Sequence, residues 1–163
     1  MSRVKRIYFA QKAIVFDKKQ DKIFLLLTKY EKAPLKDTCK VESKYGCPGG
    51  KIDFGEELDA SLVRECLEET GITVIPEDPV DTITWFVEKP KEISQIIAVY
   101  RLCRYKNGKP KGPVTENETS LAKSEWVDIS RFNVIEKLIE NEIEPVKKAL
   151  KLFSKIYEIN TKR

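Results

Sequence analysis

At 163 residues the chain has the size of one ordinary domain, long enough for a substantial core. Its 30 Lys and Arg against 26 Asp and Glu leave a net charge of +4, which does not imply a nucleic-acid binder and is compatible with a small anionic ligand steered locally. It has no histidine, which excludes histidine-based catalytic triads and imidazole-ligated zinc.

In chain order, the first expected strand is Ile7 to Phe16, ending at Asp17, with a hairpin turn in DKKQDK. Ile23 to Thr28 (IFLLLT) is a continuous apolar run of strand length, which suits a strand covered on both faces. Lys29 to Lys44 is polar, basic and contains Pro34, so it is expected to be a loop, longer than most connections. Pro48, Gly49 and Gly50 in YGCPGG should stop a strand and bend the backbone tightly. A helix is expected from about Glu57 to Thr70, stopped by Gly71. Ile72 to Ile75 follows as a short strand, and Pro76 and Pro79 are expected to flank a turn. Val80 to Val87 and Ile93 to Leu102 should pair as a hairpin around Lys89-Pro90-Lys91, and Asn107-Gly108 marks another turn. Glu125 to Ile129 is the last expected strand. Asn133 can cap the next helix, with Glu136 three residues on. Pro145 suits the first turn of a closing helix whose Val146, Ala149, Leu150, Phe153, Ile156 and Tyr157 share one face, read as core packing.

This order predicts a mixed sheet with helices on both faces, as a single domain over residues 1–163. Cys39, Cys47, Cys66 and Cys103 form no CxxC pair and are read as reduced thiols in a cytoplasmic protein. The opening MSRVKRIYFAQKAIVF is too interrupted by Lys, Arg and Gln for a secretion signal, and no run approaches the roughly 20 apolar residues of a membrane span.

The chemistry is concentrated in GKIDFGEELDASLVRECLEETGI, residues 50–72. On a helix Glu65, Glu68 and Glu69 share one arc, being spaced i, i+3 and i+4. Ala60, Leu62, Val63, Cys66 and Leu67 form a second arc, expected to face the sheet; Leu58 fits it poorly, which places the first turn near another element. Glu56, Glu57 and Asp59 add to the acidic density, and Arg64 can offset one charge, most simply at Glu56 or Glu57. Oxygen ligands in this number suit Mg²⁺ or Mn²⁺ rather than Zn²⁺, and Gly49 and Gly50 let a backbone carbonyl approach the same ion. Carboxylate-held Mg²⁺ binds phosphate oxygens and acidifies water, and a glutamate not fully committed to metal can take the proton. For the helix alone, a solvated acidic face is an equally ordinary reading.

The full spacing departs from that ordinary reading. Gly50, five residues, Glu56, seven residues, Arg64-Glu65-Cys66, one residue, Glu68-Glu69, one residue and Gly71-Ile72 together resemble the signature of the Nudix hydrolases, with every fixed charged and glycine position filled. Cys66 stands where Ile, Leu or Val is usual, which a small hydrophobe can fill. The resemblance implies an α/β/α sandwich and hydrolysis of a nucleoside diphosphate linked to another group. It implies metal-binding roles for Glu65, Glu68 and Glu69, a carbonyl contribution from Gly50, and an orienting pair in Glu56 and Arg64. A distal glutamate often binds metal or acts as base in such enzymes; Glu118 is the first candidate by location and Glu116 the second.

Signs of substrate class are sparse. Leu26-Leu27-Thr28 resembles the lead of the coenzyme A hydrolases, but Tyr30 stands where an arginine should be. Pro90 lies 18 positions after Ile72, a poor match to the ADP-ribose hydrolases, and the tyrosine expected of dinucleoside polyphosphate hydrolases is missing. What remains resembles the compact enzymes acting on nucleoside triphosphates, sometimes oxidised ones. Tyr30, Tyr45 and Trp85 are candidates to stack on a base, and Lys29, with Lys36, Lys40 and Lys44, to meet phosphates; packing and a solvated charge run are the bland alternatives. The expected partner is a small nucleotide, met by a monomer or homodimer without a membrane. The alternatives are ADP-ribose, a nucleotide sugar, a dinucleoside polyphosphate, or the triphosphate or capped 5′ end of an RNA. A binding module on the same fold would have lost the glutamates.

Overall fold

The structure, a computed structural model, describes residues 3–17, 22–31, 41–111, 121–130 and 133–161, with the side chains of 26–31, 41–43, 121–122, 133–134 and 153–161 excepted. The elements in order are β1 (Val4–Phe16), β2 (Lys22–Glu31), β3 (Val41–Gly46), α1 (Leu58–Thr70), β4 (Ile72–Lys89), β5 (Glu92–Gly108), β6 (Leu121–Asp128), α2 (Asn133–Glu136), a 3₁₀ turn at Glu140–Glu142 and α3 (Ile143–Thr161).

The sheet is mixed and runs β3-β2-β1-β5-β4, with β6 on the other edge of β2. β1 is parallel to β5 along its whole length, from Val4 opposite Glu92 to Phe16 opposite Arg104; the remaining pairs are antiparallel. The end of β1 is buried on both faces, so the alternation of its side chains divides the interior. Ala13 and Val15 pack with Leu62 and Cys66 of α1, along with Phe24, Ile72, Val74 and Cys103. Ala10, Ile14 and Phe16 pack on the opposite side with Val146 and Ala149 of α3. This is the expected sandwich of a mixed sheet between helices. Among the described residues no helix is long and apolar enough to cross a membrane.

Three expectations are corrected. Ile72 to Val87 is one bulged strand, not two strands and a turn. The irregularity between Pro76 and Asp81 is absorbed as shifts of register against β5. Arg101 stitches it down, donating Nε (2.9 Å) and Nη2 (2.7 Å) to the Glu77 carbonyl. The stretch from Lys29 to Lys44 is also not all loop: β2 extends to Glu31 and β3 begins at Val41, because antiparallel pairing carries polar residues that a periodicity reading rejects. Finally, the buried face of α1 is Ser61, Leu62, Cys66 and Thr70, while Ala60 and Leu67 are exposed. The helix is turned so that the flank carrying Glu65 and Glu69 faces the Pro48–Gly50 bend. Gly71 ends α1 as expected, in the left-handed conformation (φ 77°) with its N–H on the Leu67 carbonyl. Pro145 lies in the first turn of α3; Phe153, Ile156 and Tyr157 have side chains outside the described set.

Candidate active site

The Pro48–Gly50 segment follows β3 and runs along the edge of β1. Ala13 N–H donates to the Pro48 carbonyl (2.8 Å), Gln11 N–H to the Gly50 carbonyl (2.9 Å), and Ile52 N–H to the Phe9 carbonyl (3.0 Å). Gly49 has a φ of +128°, and a side chain there would collide with the Gln11 carbonyl. A side chain on Gly50 would collide with the Glu65 carboxylate. These two contacts are the local reason for the paired glycines: one lets the bend lie against β1, the other lets α1 close on it.

Glu69 completes the junction. Its Oε2 accepts the Gly49 N–H at 2.8 Å. Burial pushes this carboxyl up from its ordinary value, opposed mainly by Lys12. The Lys12 ammonium in turn donates to the Gly49 carbonyl at 2.6 Å. Glu142, almost fully buried ahead of α3, accepts the Cys47 N–H. Burial pushes its carboxyl up too, again opposed mainly by Lys12. The Tyr100 hydroxyl is buried beside it without a hydrogen bond of standard geometry.

Arg64 organises the other flank. It grips Glu56 with two parallel bonds, Nε to Oε1 (2.8 Å) and Nη2 to Oε2 (2.9 Å). Its Nη1 donates to Glu65 Oε1 (2.7 Å) and Glu68 Oε2 (3.2 Å), and Asp53 lies 3.7 Å away. Glu56 also accepts the Asp53 N–H (3.2 Å), closing the turn that feeds α1. Held chiefly by Arg64, the Glu56 carboxyl falls to about 2. The expected pairing of Arg64 with Glu56 is therefore present. The poor fit of Leu58 also has its cause: its carbonyl accepts the Gln11 amide (2.6 Å), and its side chain is exposed.

The structure thus brings together Gly49, Gly50, Glu65 and Glu69, and joins Glu56, Glu65 and Glu68 through Arg64. Glu68 differs from the other two glutamates, with 62% of its side chain exposed against 18% for Glu65. Among the described residues no three acidic side chains converge as a ready-made metal cluster: Glu65 and Glu68 are bonded to Arg64, and Glu69 to the Gly49 amide. The donor set nevertheless fits a hard divalent cation: carboxylate and carbonyl oxygens, no imidazole, and thiols at Cys47, Cys66 and Cys103 that are buried and pushed toward the neutral form, Cys103 up to about 12.

The candidate substrate contacts are scattered. Tyr45 donates to Glu125 (2.7 Å), tying β3 to β6, and lines a cleft with Lys22, Trp126 and Asp128. Trp85 packs against the core on the α3 side, while Phe86 is exposed on the other face of the strand. The side chains of Lys29 and Tyr30, and all of Lys36, Lys40, Glu116 and Glu118, lie outside the described residues. Sequence reasoning missed Lys12 and Glu142. The available signal was Gln11-Lys12 interrupting an otherwise apolar strand; Glu142 had none.

Comparison with known proteins adds three findings. A family model described as the NUDIX domain matches residues 9–150. No curated protein matches the sequence. Among solved structures, a NUDIX hydrolase from Nitrosomonas europaea is similar at 16% identity, covering 88% of each chain with a TM-score of 0.64. A MutT protein from Methanosarcina mazei Go1 is similar at 22% identity, covering 90% of this chain and 95% of that one, with a TM-score of 0.63. An ADP-ribose pyrophosphatase from Streptococcus suis 89-1591 is similar at 20% identity, covering 89% and 90%, with a TM-score of 0.55. At these identities the likeness is one of fold.

Proposed function

The chain belongs to the Nudix hydrolase family, enzymes that hydrolyse phosphoric anhydrides in nucleotide-linked compounds, and on that premise we propose that its substrate is a nucleoside triphosphate or a modified nucleotide, cleaved with Mg²⁺ or Mn²⁺. The observation that supports this most directly is the junction where Gly50 packs against the Glu65 carboxylate and Gly49 donates to Glu69. It brings two carboxylates of α1 against one bent backbone segment, Glu65 at Gly50 and Glu69 at Gly49. The poor match of the sequence to the signs of the other subgroups weighed above favours the triphosphate class.

In this reading Glu65, Glu68 and Glu69, with a carbonyl of the Gly49–Gly50 segment and the distal Glu118, hold the metal. When bound, the metal neutralises phosphate charge and makes water more acidic. Glu56 and Arg64 fix the angle between the glycine bend and α1. Glu69 commits Oε2 to the bend, and its Oε1 has no hydrogen-bond partner among the described residues. A carboxylate so placed can take one proton from the attacking water as the new P–O bond forms and the anhydride P–O bond breaks, the electron pair leaving on the phosphate oxygen. Tyr45, Trp85 and Tyr30 are proposed to contact the base, and Lys29 the phosphates.

The test is product identification with purified protein and Mg²⁺ against ordinary and oxidised nucleoside triphosphates, nucleotide sugars, ADP-ribose, dinucleoside polyphosphates, coenzyme A, and RNA with a triphosphate or capped 5′ end. Fastest turnover on a triphosphate, releasing pyrophosphate or phosphate, is expected. A clear preference for another class overturns the substrate assignment, and full turnover in excess chelator overturns the metal dependence.

A further inference from the structure

Lys12 stands in a strand whose neighbours Ala10, Ala13 and Ile14 are all buried. By the alternation of β1 its side chain leaves on the α3 face, yet it ends on the Gly49 carbonyl at 2.6 Å. Gly49 is therefore held at both ends, its N–H by Glu69 and its carbonyl by Lys12. Glu142 holds the N–H of Cys47, two residues before. The two most buried carboxylates of the junction thus flank the bend, and the ammonium at Gly49 is the cation that offsets both. Arg64 is committed elsewhere, to Glu56, Glu65 and Glu68.

We propose that Lys12 is a positioning residue that serves as an internal cation of the metal site: its ammonium occupies the Gly49 carbonyl, balances Glu69 and Glu142, and opposes entry of a divalent ion at that end of the junction. The argument is electrostatic. A buried carboxylate needs a compensating charge. Here a fixed unit charge supplies it from within the chain, at a carbonyl of the segment proposed above to face the metal. A divalent ion entering the same space meets repulsion from that charge and must displace a short charge-assisted hydrogen bond. The proposal rests on the metal-dependent reading above.

The experiment measures Mn²⁺ binding to the whole protein without substrate, by the loss of the free Mn²⁺ electron paramagnetic resonance signal. Wild type is compared with Lys12→Met, which keeps the stem and removes the charge, and with Lys12→Arg, which keeps the charge. Lys12→Met is expected to bind Mn²⁺ about tenfold more tightly, and Lys12→Arg to stay near wild type. Saturable binding with equal or weaker affinity in Lys12→Met overturns the role of Lys12 while leaving the metal site standing. No saturable binding in any of the three overturns the role of Lys12, and turnover in excess chelator decides separately whether the metal-dependent reading stands. Should Lys12→Met not fold, the wild-type protein carries a second test: the ¹⁵N resonance of the Lys12 ammonium, assigned by its loss in Lys12→Arg, is expected to shift as Mg²⁺ saturates the site. A Lys12 resonance that stays fixed while neighbouring amides titrate overturns the proposal.

Discussion

Arg64 has four carboxylates within 4 Å, and their geometry ranks them. Glu56 receives two parallel bonds, Glu65 and Glu68 one each, and Asp53 only proximity. Arg64→Ala should therefore free the turn before α1 and release Glu65 together, lowering kcat at least about tenfold by misplacement alone. Arg64→Lys should not restore it, because an ammonium lacks the planar fork. The pH dependence has a definite sign. Glu56 is ordinarily near 4.5 and is drawn to about 2 by Arg64, so its stabilisation is complete above about 4.5 and is lost as pH falls through about 2. The melting temperature gap between wild type and Arg64→Ala should be constant above about pH 5 and close below it; a gap that persists unchanged at pH 2 contradicts the pairing. The three helix glutamates should also separate. Glu65→Gln and Glu69→Gln are expected to lower kcat by about 10²-fold or more, and Glu68→Gln by less, since Glu68 is largely solvated. Metal-free melting should barely change in any of them, and near-normal turnover in all three would remove the enzymatic reading. The spacing of these residues was legible in the sequence because it is local to one helix. Their unequal exposure was not, because it depends on how α1 is rotated against the sheet. Lys12 and Glu142 stayed hidden for a related reason: they reach the bend from β1 and from the start of α3, and neither has a spacing that ties it to Gly49.

At the scale of elements, β1 is the template for the site. It pairs with β5 on one edge and carries the Pro48–Ile52 segment on the other, so the glycine bend is registered by backbone bonds rather than by its own turn. The two glycines of that bend should then answer differently to alanine. Gly49→Ala meets backbone at a positive φ, where nothing can yield, and should cost about 1–3 kcal/mol of stability along with activity. Gly50→Ala meets first the carboxylate of Glu65, the movable end of a side chain, so the fold should hold while kcat falls as Glu65 is displaced. Thermal melts and kinetics of both variants check this; equal loss of stability would mean that Gly50 too is a backbone requirement. Element boundaries were legible where chemistry punctuates the chain, as at Gly71 and at the Pro90 hairpin. They failed at Pro76 and Pro79, where prolines that read as a turn are carried by a bulge. What holds that bulge is Arg101, a residue 22 positions further on than Pro79, and such a partner leaves no local trace.

At the scale of the whole molecule, the two cores meet along β1 and the glycine bend lies at its edge, so the site joins pieces that separate on unfolding: β1, the bend and α1. An ion held by Glu65, Glu69 and a backbone carbonyl of that bend would find no equivalent in the unfolded chain, where these groups are remote from one another. Binding must then stabilise the native state by RT ln(1 + [M]/Kd), about 2.7 kcal/mol at a hundredfold excess over Kd. For a chain of this size that corresponds to a rise in melting temperature of roughly 5–10 °C. The rise should appear with Mg²⁺ and Mn²⁺, disappear with chelator, and shrink in Glu69→Gln, which keeps the fold but weakens a ligand. Arg64 sets the opposite limit on this gain. It already compensates Glu65, so an ion bound there would have to loosen the bond between Arg64 and Glu65. The increment should accordingly fall below what the same ligands would give if they were unpaired. A melting temperature indifferent to Mg²⁺ up to millimolar concentrations, in a protein that nevertheless turns over its substrate, would mean that the metal enters only with the nucleotide and that the empty junction is held together by Arg64 and Lys12 alone.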